Sequence, residues 1–367
     1  MKALIVNGPN LDRLGDRQPE IYGAITLDEI EDQCRAWGRS LGIEVKTFQS
    51  NSEADIIERV AAFVGSGIVL NPGALTHTSR ALADAIAASV TPVVEVHISN
   101  IWERERWRRN SVIGPVCDYT IYGRGIEGYR HALRRLAVIT AGGFTTHRYG
   151  PAPDMVGDLR LPDGHPPHPV VVLVHGGFWR HEWGRDLMDS LATDLSGRGI
   201  ATWNVEFRRV GRGGGWPATG QDVSTAVDFL DTLAGVDTGR LVLLGHSSGG
   251  HLVLYVAKRG PVTPRLVVGL APITDLESVP EAESMRACGA PSGADLIPLG
   301  CRSILVHGGD DRFVDPGHTT RFADPESETS IVDGAGHFTL LDPSKPWWAP
   351  ISDLVIGEVR LPRSVDN

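Results

Sequence analysis

Cysteine is scarce in this 367-residue chain, which has only Cys34, Cys117, Cys288 and Cys301. None stands in a CxxC pair or at ligand spacing from a histidine, which argues against a zinc site and against a disulfide framework. A long apolar run is also missing from the start. The first run, residues 3–6, stops at Asn7, Gly8 and Pro9, too short for a signal peptide or a membrane span. Net positive charge is absent: the formal charge is −10, with 16 basic and 17 acidic residues in 1–140, leaving 35 − 16 = 19 basic and 45 − 17 = 28 acidic beyond. That excludes a basic nucleic-acid footprint, although a few local arginines could still hold a small anion. What is present is a globular composition, 41% apolar and 22% charged. At roughly 150 residues per domain, the length predicts two domains. These features predict a soluble, cytoplasmic protein with small-molecule partners and neither nucleic acid nor membrane.

The first half alternates strand and helix patterns. Residues 3–6 read as a buried strand. Thr26 and Glu29 form a capping box, after which Leu27, Ile30, Cys34, Trp37 and Leu41 share one helical face. Strands at 45–48, 68–70 and 93–96 alternate with helices from Ser52 (Ile56, Val60 and Phe63 inward) and at 81–88. Such alternation predicts a parallel sheet covered on both faces, with ligands bound outside the carboxyl ends of the strands. Those ends are polar: Asn7 and Asn10, then Gln49, Ser50 and Asn51, then Asn71, then Glu95, His97, Ser99 and Asn100. A single loop asparagine usually just makes a turn. Four consecutive polar strand ends predict a site.

The stretches NGPNLDRLGDRQPEIYG, QSNSEADI, NPGALTHTS, VEVHISNIWERERWR and GRGIEGY, in order across residues 1–138, resemble the type II 3-dehydroquinate dehydratases. The resemblance implies a flavodoxin-like fold, a dodecamer built from trimers, no metal or other cofactor, no Schiff-base lysine, and anti elimination of water from 3-dehydroquinate through an enolate. It implies Tyr22 as the base, a phenolate whose pKa is depressed by Arg17, both on a loop that closes over substrate. A tyrosine titrates near ~10, so work near neutrality needs such a cation. By the same resemblance Asn10 positions a water that supports the enolate, and His97, oriented by Glu95, protonates the leaving hydroxyl. Asn71, His77 and Arg108 match positions that hold substrate hydroxyls. The N–H groups of Ile98 and Ser99 match those that hold its carboxylate. Asp84 matches a residue reaching into a neighbouring subunit's site. Trp102, Glu103 and Trp107 depart from the usual histidine, alanine and phenylalanine. The literal G-x-G-x-x-G at residues 123–128 follows the last strand instead of the first and lacks an acidic residue about 20 positions on, so nucleotide binding is not expected.

The second half follows a linker expected at 140–144. A hairpin-like stretch (145–161) leads to a strand at 169–174 ending in HGGFW. A strand at 241–244 then runs into Gly245, His246, Ser247, Ser248 and Gly249, with a helical pattern after it. Strand, G-x-S-x-G and helix in that order are what a strained turn exposing a serine requires. An acid and a histidine should follow, and residues 302–306 lead to Asp310 and Asp311, then Gly336 and His337. Asp311, three residues before Val314, is preferred over Asp310, with His337 as base to Ser247. The N–H of Ser248 with that of Gly177 or Phe178 would form the oxyanion hole. With NVEFRRVGRGGGWPATGQDV and GHSSGGH, residues 145–357 resemble α/β-hydrolases of the carboxylesterase and kynurenine-formamidase-like type. The cap region is trimmed: only about 25 residues separate Asp275 from Cys301, and 315–330 is short for the helix expected there.

The expected architecture is therefore α/β throughout: a flavodoxin-like domain at 1–139, a linker at 140–144 and an α/β-hydrolase domain at 145–367. The expected function is dehydration of 3-dehydroquinate joined to a serine hydrolase acting on an ester or amide. The fusion suggests that the hydrolase frees a quinate- or shikimate-type acid from an ester. The alternatives are a non-catalytic scaffold module and an aryl-formamidase.

Overall fold

A computed structural model of the chain describes residues 1–16, 23–259 and 263–361. It divides into two units, Met1–Gly142 and Gly143–Asn367.

In the first unit β1 (Lys2–Asn7), β2 (Glu44–Gln49), β3 (Gly67–Asn71), β4 (Val93–His97) and β5 (Tyr119–Tyr122) alternate with α1 (Leu27–Ser40), α2 (Glu53–Ala62), α3 (Arg80–Ala87) and α4 (Glu127–Ala141). The strands form a wholly parallel sheet in the order β2-β1-β3-β4-β5, the flavodoxin-like arrangement. Local chemistry sets the helix starts. The Thr26 hydroxyl accepts from the Glu29 N–H while the Glu29 carboxylate accepts from Thr26 N–H at 2.9 Å, and the Ser52 hydroxyl caps α2 by accepting from Asp55 N–H. Because β1, β3 and β4 are buried on both faces, their side chains feed two cores. Ile5, Val69 and Val94 pack against Ile30, Cys34 and Leu133 of α1 and α4; Leu4, Val6 and Leu70 pack against Ile56, Val60 and Leu82 of α2 and α3. The expected linker at 140–144 starts inside a helix: α4 continues through Ala141, because Thr140 and Ala141 extend its pattern until Gly142 and Gly143 take φ of 70° and 78°.

The second unit opens with a hairpin, β6 (Thr145–Arg148) and β7 (Val156–Arg160), and continues through β8 (His168–Val174), α5 (Asp189–Gly197), β9 (Ala201–Val205), α6 (Ala218–Asp228), β10 (Val236–His246) and α7 (Ser248–Arg259). Next come β11 (Leu266–Leu270), the short α8 (Glu283–Ala287), β12 (Ser303–Gly308), the one-turn α9 (Gly317–Thr320), β13 (Ser327–Val332) and α10 (Trp348–Arg360). Eight strands form one mixed sheet in the order β13-β12-β11-β10-β8-β9-β7-β6, antiparallel only at β6–β7 and β7–β9. This is the α/β-hydrolase architecture, with Trp203 and Phe207 in the core on one face of the sheet and Leu191 and Trp348 in the core on the other. β10 is longer than the apolar run at 241–244 suggests, because residues before a register shift between Asp237 and Leu241 also pair with β8. No helix of the described residues is long and apolar enough to cross a membrane.

Candidate active sites

In the first unit the carboxyl ends of β1, β3 and β4 open onto a pocket lined by Pro9, Asn10, Leu11, Leu14, Asn71, Gly73, Ala74, His77, His97, Ile98, Ser99, Ile101, Arg104 and Arg108. Glu95 and His97 lie two apart on β4 and so share a face. The fully buried Glu95 Oε1 lies 2.8 Å from His97 Nε2, and the Thr76 hydroxyl donates to the same oxygen. Ser111 Oγ sits 3.3 and 3.4 Å from the two carboxylate oxygens. The His97 ring stacks on Tyr122, against whose edge Trp102 packs. One of the departures from the family pattern thus lies beside the histidine's platform.

His77 Nδ1 is 2.7 Å from the carbonyl of Asn110. A carbonyl only accepts, so the ring proton is on Nδ1 and Nε2 is left as an acceptor. Burial chiefly, and then the charges of His97 and Arg108, hold its pKa below the ordinary histidine value, although the bond to Asn110 opposes this. Neutral His77 can accept a bond from a hydroxyl. Trp107 meets the His77 ring edge-on and lies beneath the Arg108 guanidinium at 4.1 Å. Asn10 occupies a left-handed conformation (φ 66°) with its N–H on Asn51 Oδ1 at 2.7 Å. Gly73, at φ +57°, lies so close to Pro9 that a Cβ would stand 3.0 Å from its carbonyl oxygen.

Most of the residues expected at this site are gathered here, with exceptions. Tyr22 and Arg17 lie outside the described residues. Asp84 is exposed on α3 and lines no part of the pocket. Gln49, Ser50 and Asn51 support loops instead: Ser50 bonds Asp55, and Asn51 holds Asn10 and Asp12. Asn100 accepts from Trp102 N–H as a helical cap. The G-x-G-x-x-G stretch braces the end of β4, with Gly123 and Gly125 N–H donating to the His97 and Ile98 carbonyls. Sequence reading passed over Arg104, which lines the pocket with a nitrogen 3.4 Å from Ser99 Oγ and shares Glu105 with Arg108. It also passed over Thr76 and Ser111. Arg104 and Thr76 were inside the matched stretches, but a hydroxyl that serves a carboxylate has no pattern of its own.

In the second unit Ser247 stands between β10 and α7 at φ 55°. A β-carbon on Gly245 would fall 2.2 Å from the Gly249 carbonyl oxygen, and one on Gly249 the same distance from that of Val174. Only glycines permit so tight an elbow. Asp311 Oδ2 lies 2.6 Å from His337 Nδ1, while Oδ1 accepts from the N–H groups of Phe313 (2.8 Å) and Val314 (3.0 Å). His307 Nε2 is 3.2 Å from Oδ2 and was not anticipated. Burial pushes the Asp311 carboxyl up, but the bonds from His307 and His337 outweigh it and leave the group far below the usual range. Asp310 is exposed.

Ser247 Oγ has no hydrogen-bond partner among the described residues; serine–histidine bonds commonly tighten only when substrate docks. His246 is buried with its ring 4.5 Å from that of His337, and burial and then the His337 charge push its pKa well down, so it stays neutral. Gly177, Phe178 and Trp179 all have positive φ (118°, 52° and 57°), a strained turn in the loop expected to supply the oxyanion hole. Its neighbour His175 contacts Glu206 Oε1 at 2.9 Å, which also receives Arg209 at 3.0 Å. Burial would raise the Glu206 carboxyl, yet Arg209 and His175 bring it to about 2.

Fold and sites define two centres: in the first unit a pocket with a Glu95–His97 pair at the carboxyl edge of a parallel sheet, and in the second a strained Ser247 elbow and an Asp311–His337 pair. Residues 1–137 match the family described as dehydroquinase class II, and residues 158–290 the family described as BD-FAE. A 3-dehydroquinate dehydratase of Deinococcus radiodurans is 52% identical over 139 residues, 37% of this chain and 97% of that protein. A catabolic 3-dehydroquinase of Neosartorya fischeri is 46% identical over 137 residues, 37% of this chain and 91% of that protein. An esterase of Thermogutta terrifontis shares the fold of the second unit, with a TM-score of 0.50 and 16% identity over 61% of this chain and 97% of that one. Through its first unit the chain belongs to the class II dehydroquinases, and that unit is followed by a second with the α/β-hydrolase fold.

Proposed function

We propose that the first unit dehydrates 3-dehydroquinate to 3-dehydroshikimate and that the second is a serine hydrolase of an ester or amide. The observation that carries the first reading is the buried Glu95–His97 pair in a pocket with Asn10, Asn71, His77 and Arg108, on a unit about half identical to the named dehydratases. In this reading Tyr22, kept as phenolate by Arg17, takes the proton alpha to the ketone. Asn10 holds the water that supports the enolate, and His97 gives its proton to the departing hydroxyl. His77, Asn71 and Arg108 hold hydroxyls; the N–H groups of Ile98 and Ser99 hold the carboxylate; Asp84 serves a neighbouring copy. The site residues fall within a domain at 1–139. Formation of the enone absorbance from 3-dehydroquinate tests this: Tyr22→Phe should abolish it, and unchanged turnover would overturn the base.

The hydrolase reading rests on the Ser247 elbow with Asp311 on His337. The N–H of Ser248 with that of Gly177 or Phe178 faces the developing oxyanion, within a domain at 145–367. A fluorophosphonate probe should label the wild-type chain and not Ser247→Ala. An unlabelled wild type would favour a non-catalytic module. Release of quinate from acyl-quinates, set against turnover of N-formylkynurenine, separates the ester from the formamide substrate. We further propose a trimer-based dodecamer, checked by light scattering, and work in the cytoplasm, a reading that four free cysteines support.

A further inference from the structure

The last of the matched stretches, GRGIEGY, ends on Tyr129, which the dehydration mechanism leaves without a task. Tyr129 is fully buried on α4, and its hydroxyl lies 2.7 Å from Asn7 Oδ1 and 2.9 Å from Asn71 Nδ2. Asn7 and Asn71 are paired neighbours at the carboxyl ends of β1 and β3. The two amides and the phenol therefore form one network across three elements, and only Asn71 of the three lines the pocket.

The directions of these bonds are determined by one backbone group. Gly73 N–H can only donate, and it lies 3.2 Å from Asn71 Oδ1, so the Asn71 amide must turn its oxygen to Gly73 and its nitrogen to Tyr129. The phenol oxygen then accepts from Asn71 and sends its one proton to Asn7 Oδ1. Burial holds the Tyr129 pKa far above the ordinary tyrosine value, so that proton stays in place. With these bonds made, Asn71 keeps one N–H and one acceptor lone pair, the complement of a hydroxyl group, which also donates once and accepts once.

We infer that Tyr129 is a positioning residue for dehydration, fixing the Asn71 amide so that its remaining donor and acceptor hold a substrate hydroxyl. Without the phenol oxygen the Asn71 nitrogen loses its anchor, and the amide can rotate away while the reacting groups around His97 stay where they are. The effect belongs in substrate binding. The inference rests on the reading that Asn71 touches substrate.

The test is a double-mutant cycle on the full chain with 3-dehydroquinate as substrate. Tyr129→Phe should raise KM roughly five- to tenfold with kcat within about twofold, the effect of one lost hydrogen bond on uniform binding. Asn71→Ala should raise KM at least as much, and Tyr129→Phe added to it should change KM no further. Tyr129→Phe with KM within about twofold of wild type, or losses that multiply in the double variant, would overturn the inference alone. An unchanged KM in Asn71→Ala would overturn the Asn71 reading and this one with it. Should Tyr129→Phe not fold, Asn7→Ala releases the other end of the phenol and enters the same cycle, with the same signs expected.

Discussion

Both units set a histidine against a buried carboxylate, from opposite ends of the imidazole. Glu95 meets His97 at Nε2, and Asp311 meets His337 at Nδ1. The rest of each carboxylate's surroundings differs more. Asp311 faces groups that donate: two backbone N–H groups and the ring nitrogens of His337 and His307. Its charge is held throughout, as suits an acid that steadies an imidazolium without accepting its proton. Glu95 faces the hydroxyls of Thr76 and Ser111. The Ser111 oxygen itself accepts from the N–H groups of Ile113 (3.2 Å) and Gly114 (2.7 Å), so its one proton is left to point at the carboxylate or at Thr76. One carboxylate is held by backbone and imidazole donors, the other by side-chain hydroxyls beside its imidazole.

The sharpest way to break this contrast is to neutralise both acids. Asp311→Asn should cut hydrolysis by ~10⁴-fold, because the amide favours the wrong imidazole tautomer. Glu95→Gln should cut dehydration by only ~10²-fold, the low end for general acid–base help. Each should leave the other activity within about twofold, since the units carry separate sites. Initial rates of enone formation and of ester cleavage report both, and equal losses at the two acids would erase the distinction. A finer comparison removes a single hydroxyl. Thr76→Val keeps the shape and takes away one partner of Glu95, so kcat for dehydration should fall about tenfold with KM within about twofold. An unmoved kcat would mean the hydroxyls only fill space.

The same difference explains what could be read from the residues alone. Glu95 and His97 were joined by the family resemblance, and their spacing of two on one strand agrees with the pairing. Ser247, Asp311 and His337 come from three loops. Chain order and spacing to Val314 pointed to Asp311 over Asp310, and it is Asp311 that accepts from Val314 N–H and contacts His337. Less legible were residues that act through others. Tyr129, Thr76, Ser111 and His307 are brought to their partners by packing across 16 to 122 positions or by a turn of the chain. Asn51 and Asn100 erred the other way: as polar residues at strand ends they looked like ligands, yet they cap and brace.

Charge held in place also has a cost in acid, and Glu206 lets it be measured away from Ser247. Glu206 is buried against Arg209 and His175, and its Oε2 accepts from the Arg185 backbone N–H at 3.1 Å, so that its carboxylate ties down both sides of the loop that carries Gly177 and Phe178. Its carboxyl titrates at about 2 in the folded chain against an ordinary 4.5. A depressed carboxyl stabilises the fold fully above its unfolded value and loses that contribution as pH falls through the folded one. Stability of the second unit should therefore drop between pH ~4.5 and ~2. Glu206→Gln, less stable than wild type at pH 7, should close the gap with wild type across that window. Residual fluorophosphonate labelling of Ser247 after brief heating, compared from pH 5 down to pH 3, reads this directly. A gap that stays constant over that range would show that the Glu206 charge does not hold the loop, and that the fixed-charge character of the second unit is confined to Asp311.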